Sequence, residues 1–119
     1  MKLNRFGFFD DLPFEERRGA LKRLCHLAGP HPDRQFVLKY LETGVPFILI
    51  AGITRDWLSD SEEIIGPPHV LTDGKWGWTA DVYHYIQRYN LPVPDEFIAH
   101  MRSNRWIVPV VADFLNIEI

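Results

Sequence analysis

Cys25 and His26 are the first residues whose types can do chemistry, a thiol beside an imidazole. Neighbours on a helix point about 100° apart, and Cys25 falls on the apolar side of its segment. The pair therefore reads as a buried structural thiol, not as a nucleophile with its base. The five histidines, His26, His31, His69, His84 and His100, lack the close spacings of zinc sites, and neither Cys-x-x-Cys nor His-Glu-x-x-His occurs. Gly74-Lys75-Trp76-Gly77 belongs to a hairpin, not to the strand-to-helix turn of a phosphate loop. Asp73 and Asp81 can in principle work as an acid/base pair. A turn residue and a first-turn helix residue account for both more simply. No catalytic residue, cofactor or metal is expected.

The elements that must position these groups centre on His69 to Trp106. Val70-Leu71-Thr72, Asp73-Gly74 and Lys75-Trp76-Gly77-Trp78 predict a hairpin over 69–78, because Asp-Gly readily takes the positive φ values of a type I′ turn. A two-residue loop sets Thr72 opposite Lys75, Leu71 opposite Trp76, Val70 opposite Gly77 and His69 opposite Trp78. Leu71, Trp76, His69 and Trp78 then share the apolar face. Thr79 can cap a helix from Ala80, with Asp81 in its first turn, Val82, Ile86 and Tyr89 on one side beside Tyr85, and Asn90 as a left-handed stop. Tyr83 and Tyr85 cannot both face inward on one helix, so one is expected at the surface. Leu91-Pro92-Val93-Pro94 must be extended. A further helix starts at Asp95-Glu96, buries Phe97, Ile98 and Met101, carries Arg102 near its end and stops around Asn104.

Upstream, Pro13, Glu15 and Glu16, followed by Arg17, Arg18, Lys22 and Arg23, have the polarity of a helix dipole. Phe14, Leu21, Leu24, Cys25 and Ala28 fall on its apolar face, and Gly29-Pro30 ends it. A second helix after His31-Pro32 buries Phe36, Val37, Tyr40 and Leu41, stops at Gly44, and pairs with the first as an antiparallel hairpin. Val45 to Ala51 is the best strand, continuous enough to be buried on both faces. Residues 53–58 suggest one helical turn, residues 1–12 an edge strand or an arm, and the double proline at 67–68 keeps its neighbours out of a central strand. Ile107 to Val111 suggests another edge strand, bordered by Pro109. The sum is a single α+β domain over 1–119, a small antiparallel sheet with a central hairpin and helices packed on one side.

A chain of 119 residues, 46% hydrophobic and 13% aromatic, can bury a core without disulfides or a structural metal. Its single cysteine permits no internal disulfide, no charged-then-apolar leader opens it, and its longest apolar run is too short to span a bilayer. A cytoplasmic location is expected, with no membrane contact. The net charge of −3 is unevenly spread: residues 1–44 carry a balance of +2 and residues 45–119 one of −5. That argues against a nucleic-acid footprint and for a basic protein partner.

The hairpin-to-helix stretch also carries a likeness. Thr72-Asp73-Gly74, Trp76, Trp78, Asp81, Tyr85, Tyr89, Pro94, Glu96-Phe97 and His100-Met101 form a D-G-x-W-x-W-x-x-D core with a later L-P-x-E-F-like segment. This resembles small bacterial immunity proteins encoded beside polymorphic toxins of the Rhs or contact-dependent kind. The likeness covers the last half of the chain and, more loosely, His31 to Ile50. Two positions depart from it, Val93 for a leucine and His84 for a tyrosine. What it implies is a non-enzymatic protein that binds and neutralises a cognate toxin domain in a stoichiometric complex. Asp56, Asp60, Glu62 and Glu63, with Tyr85 as an exposed aromatic, are the expected contact residues. The rival reading is a small ligand-binding or enzymatic domain, with Asp81, His84 and His100 converging between the hairpin and the 80–104 helices. A third is a structural subunit that oligomerises through its aromatic face.

Overall fold

The computed structural model describes residues 2–26 and 29–111. In chain order the elements are β1 (Asn4–Phe6), a 3-10 turn (Phe9–Asp11), α1 (Phe14–His26), α2 (Arg34–Glu42), β2 (Val45–Ile48), β3 (Thr54–Arg55), β4 (Ile64–Gly66), β5 (Val70–Thr72), β6 (Trp76–Thr79), α3 (Asp81–Tyr89) and α4 (Asp95–Ser103). The class is α+β, as the sequence suggests. The larger sheet has the order β1-β6-β5-β2, with the hairpin strands at its centre, while β3 and β4 form a separate two-stranded ribbon. The sheet is mixed, not antiparallel throughout: β1 runs parallel to β6, Asn4 opposite Trp76 and Phe6 opposite Trp78. A parallel neighbour needs a long crossover, and the helices and strands between residues 6 and 76 provide it.

The hairpin register differs from the Asp-Gly expectation. Leu71 lies opposite Trp78, Thr72 opposite Gly77 and Val70 opposite Thr79. Side chains seize the turn: Thr72 Oγ1 accepts the Gly74 amide at 2.9 Å, and Asp73 Oδ1 accepts the Lys75 and Trp76 amides at 2.9 and 2.8 Å. These bonds widen the loop, and of its residues only Gly74 takes a positive φ, +99°. A shift of two residues leaves each side chain on its original face. Leu71, Trp76 and Trp78 thus share a face, and Trp78 is fully buried there.

Phe97 of α4 is the hub of that face. Its ring stacks on Trp76 at 4.4 Å and meets Trp78, Tyr40 of α2 and Phe6 of β1 at 5.5 to 6.3 Å. Aromatic pairs at such spacings add roughly 0.5–1.5 kcal/mol beyond the area they bury. Trp78 also donates its indole N–H to the Leu41 carbonyl at 3.2 Å. Gly44 follows the end of α2 as expected, and the structure adds a second reason for a glycine there: a Cβ would lie 2.3 Å from the Trp78 ring. The α4 boundaries and the left-handed Asn90 after α3 agree with the sequence reading.

Elsewhere the apolar pattern overreached. β2 is an edge strand of only four residues with Pro46 exposed, because Pro46 has no amide to donate and the strand cannot be central; Leu49 and Ile50, beyond its end, are exposed too. Phe14 and Leu24 of α1 and Phe36 of α2 are exposed, while Leu21 and Leu38 are buried. The expected helical hairpin does not organise these segments: α2 packs on α3 and α4, and α1 lies along the 3-10 turn. Residues 54–55 form a strand where a helical turn was expected. Residues 107–110 make no strand, since Arg105 and Trp106 both turn left-handed, at φ +56° and +60°. Ala28 lies outside the described residues.

Candidate functional site

Two buried aspartates organise the polar interior. Asp73 Oδ2 accepts hydrogen bonds from the Tyr40 hydroxyl at 2.6 Å and faces His100 Nε2 at 3.0 Å, while Oδ1 holds the hairpin turn. Asn104 Nδ2 donates to the same Tyr40 oxygen at 3.0 Å. Burial pushes the Tyr40 phenol above its ordinary range, and the bond to Asp73 adds to that. Asp56 repeats the plan. Its Oδ1 accepts the Leu58 and Ser59 amides at 2.9 and 3.0 Å, and Oδ2 takes His84 Nε2 at 2.7 Å and the Tyr89 hydroxyl at 2.8 Å. Burial alone would raise the Asp56 carboxyl, but the bonds from His84, Tyr89 and the Leu58 amide hold it below the usual carboxylate range. Tyr89 is driven up to about 12 by burial and by Asp56.

The Asp56 cluster is the underside of a surface feature. β3 and β4 pair with Thr54 opposite Gly66 and Arg55 opposite Ile64, and the loop between them carries the acids. From beneath, the Tyr85 hydroxyl accepts the Trp57 amide and donates to the Arg55 carbonyl, both at 3.1 Å. Arg18 Nε of α1 donates to the Trp57 carbonyl at 2.7 Å, and the Ile50 amide donates to His69 Nδ1 at 3.0 Å. Held this way, residues 49–64 present large apolar side chains to solvent: Leu49 is 70% exposed, Ile53 53% and Ile64 60%. Ile65, the next residue, turns inward against the core. In the loop of the ribbon Asp60 and Glu63 are exposed, Glu63 paired with Arg88 at 2.9 Å, and Glu62 is half-buried in a left-handed turn at φ +49°.

The structure thus divides the expected contact residues. Asp60, Glu62 and Glu63 reach the surface, whereas Asp56 and Tyr85 are fully buried and clamp the ribbon from inside. Of the two tyrosines, Tyr83 is the partly exposed one. Asp81, His84 and His100 do not converge: Asp81 lines one cavity, His84 lines another, and His100 pairs with Asp73. Cys25 is partly buried, and burial pushes its thiol up to about 11, so it is held protonated, with Asp56 reinforcing the shift. Among the described residues no group of three or more His, Cys, Asp or Glu is placed to hold a metal ion. No described helix is long and apolar enough to cross a membrane.

Sequence reasoning missed both Asp-His-Tyr clusters. Their members are 28 to 33 residues apart in the Asp56 case, and a spacing that long carries no periodic signal. The local clue was Asp56 two and three residues before amides it could accept, the pattern of an Asx turn. No protein-family model, no curated protein and no solved structure matches this chain.

Proposed function

We propose that this chain is a protein-binding module that neutralises a basic partner by stoichiometric complex formation in the cytoplasm. The partner we infer is a toxin domain, in keeping with the resemblance to immunity proteins. One observation carries the reading: on a ribbon whose loop is clamped from below, Ile64 of β4 and Ile53 just before β3 stand out in solvent, as do Asp60 and Glu63 of the loop, with Glu62 half-exposed there. Exposed apolar side chains of this size offer area for a partner to cover, and the acids of the loop would steer a cationic surface into register. The clamps matter because a surface ordered before binding loses less entropy on association.

The experiment is an affinity capture of the tagged chain from cells expressing the neighbouring reading frames. Supporting the proposal requires a co-eluting protein at one-to-one level that is toxic alone and harmless with this chain. Recovery of the chain alone, with no rescue of any neighbouring product, would overturn it.

A further inference from the structure

Among the described residues one buried side-chain polar atom has no hydrogen-bond partner, Arg34 Nε. Arg34 opens α2, and its guanidinium reaches across to α3, where Nη2 donates to the Gln87 carbonyl. That carbonyl belongs to the last turn of its helix, where carbonyls find no partner within the helix itself. The bond anchors the guanidinium. It leaves Nε without an acceptor, and Arg34 takes part in no ion pair among the described residues. Buried polar groups are almost always satisfied, and an unmade bond to a charged donor is among the costliest to leave.

Arg34 lines a cavity of about 170 Å³ between the start of α2, the end of α3 and the extended link to α4. Val37, Ile86, Leu91 and Val93 give it apolar walls. A water takes up about 30 Å³ in the liquid, so the space suits a molecule of a few carbons. His31 lines it too, and the Asp33 amide donates to His31 Nδ1 at 3.0 Å. In the neutral ring Nε2 then carries the proton and is a second donor. Of the described lining residues only Asp95 is acidic, and it is exposed to solvent, where water and salt screen it.

We infer that this cavity is a binding site for a carboxylate on a short aliphatic stem, with the Arg34 guanidinium taking the carboxylate, His31 adding a donor, and Val37, Ile86, Leu91 and Val93 packing the stem. An arginine suits a carboxylate because its planar donors match the two oxygens, and such a ligand gives Nε the acceptor it lacks. The site shares no residue with the β3–β4 ribbon, so it stands or falls apart from the docking surface proposed there.

The test uses the intact chain and three probes of one length, butanoate, butanamide and n-butylammonium, followed through the Arg34 Nε–H and Leu91 amide resonances. Saturable shifts with butanoate alone, and slower exchange of the Nε proton with water, are expected. Arg34→Lys keeps the charge but loses the Nε donor and the planar fork, and should weaken butanoate binding about tenfold, read at the Leu91 amide. Val93→Phe, which fills the cavity and leaves Arg34 in place, should abolish the shifts with the circular dichroism unchanged. N-acetyl-glycylglycine binding as well as butanoate would identify the C-terminus of a polypeptide as the source of the carboxylate, and weaker binding would identify a free acid. Equal binding of butanamide, full binding by either variant, or no saturable shift with butanoate would overturn the inference.

Discussion

The Asp73 and Asp56 clusters use one chemistry for two purposes. In each, one carboxylate oxygen gathers two successive backbone amides and the other takes a histidine Nε2 and a tyrosine hydroxyl. What differs is the cargo. Asp73 joins the hairpin turn to Tyr40 of α2 and His100 of α4, the helices that cover the aromatic hub. Asp56 joins the loop of an exposed ribbon to two residues of α3. The first lock therefore holds the fold together, and the second fixes the shape of the surface proposed to meet a partner. A motif of acid, imidazole and phenol is thus no evidence of catalysis by itself.

Asp73→Ala should have the largest effect, about 3–5 kcal/mol of lost stability in urea denaturation, because buried partners on three elements are left unpaired. Asp56→Ala should cost about 2 kcal/mol, with amide exchange accelerated chiefly over residues 54–66. Equal costs, or uniform exchange in the Asp56 variant, would erase the distinction between the two locks. Next in size, Tyr40→Phe should lose about 1–2 kcal/mol and Tyr89→Phe about 1 kcal/mol or less, the order following their burial. In pH titrations, the Asp56 contribution has a definite sign. A carboxyl held below its ordinary value stabilises the fold above about pH 4 and loses that contribution as the pH falls further. The stability gap between the wild type and Asp56→Asn should accordingly close in acid. Smallest of all, Glu63→Gln should leave the thermal midpoint unchanged, because its bond to Arg88 is at the surface.

The two regions also differ in how much of them the sequence discloses. Around Asp73 the signals are local: Asp-Gly marks a turn, tryptophans alternate on a strand, and Phe97, Ile98 and Met101 repeat at helical spacing, so the hairpin and α4 are readable. The register was not, because it depended on Thr72 and Asp73 side chains seizing the turn amides. Around Asp56 almost nothing local speaks. A two-residue strand is too short for a period, and Asp56 and Tyr85 read as surface groups because their partners lie 28 to 33 residues away. The apolar runs at 45–51 and in α1 misled for the opposite reason. Hydrophobicity at 45–51 marks an edge and leaves Leu49 in solvent, while in α1 Leu21 and Cys25 reach the core but Phe14 and Leu24 do not.

The most direct measurement is the dissociation constant of the captured partner for the wild-type chain and for the Asp60→Lys, Glu62→Lys, Glu63→Lys triple variant, each at low and high salt. The account predicts at least a tenfold loss of affinity in the variant and a flattened salt dependence, with the fold intact by circular dichroism. Unchanged affinity with an unchanged salt slope would contradict the assignment of this ribbon as the docking surface.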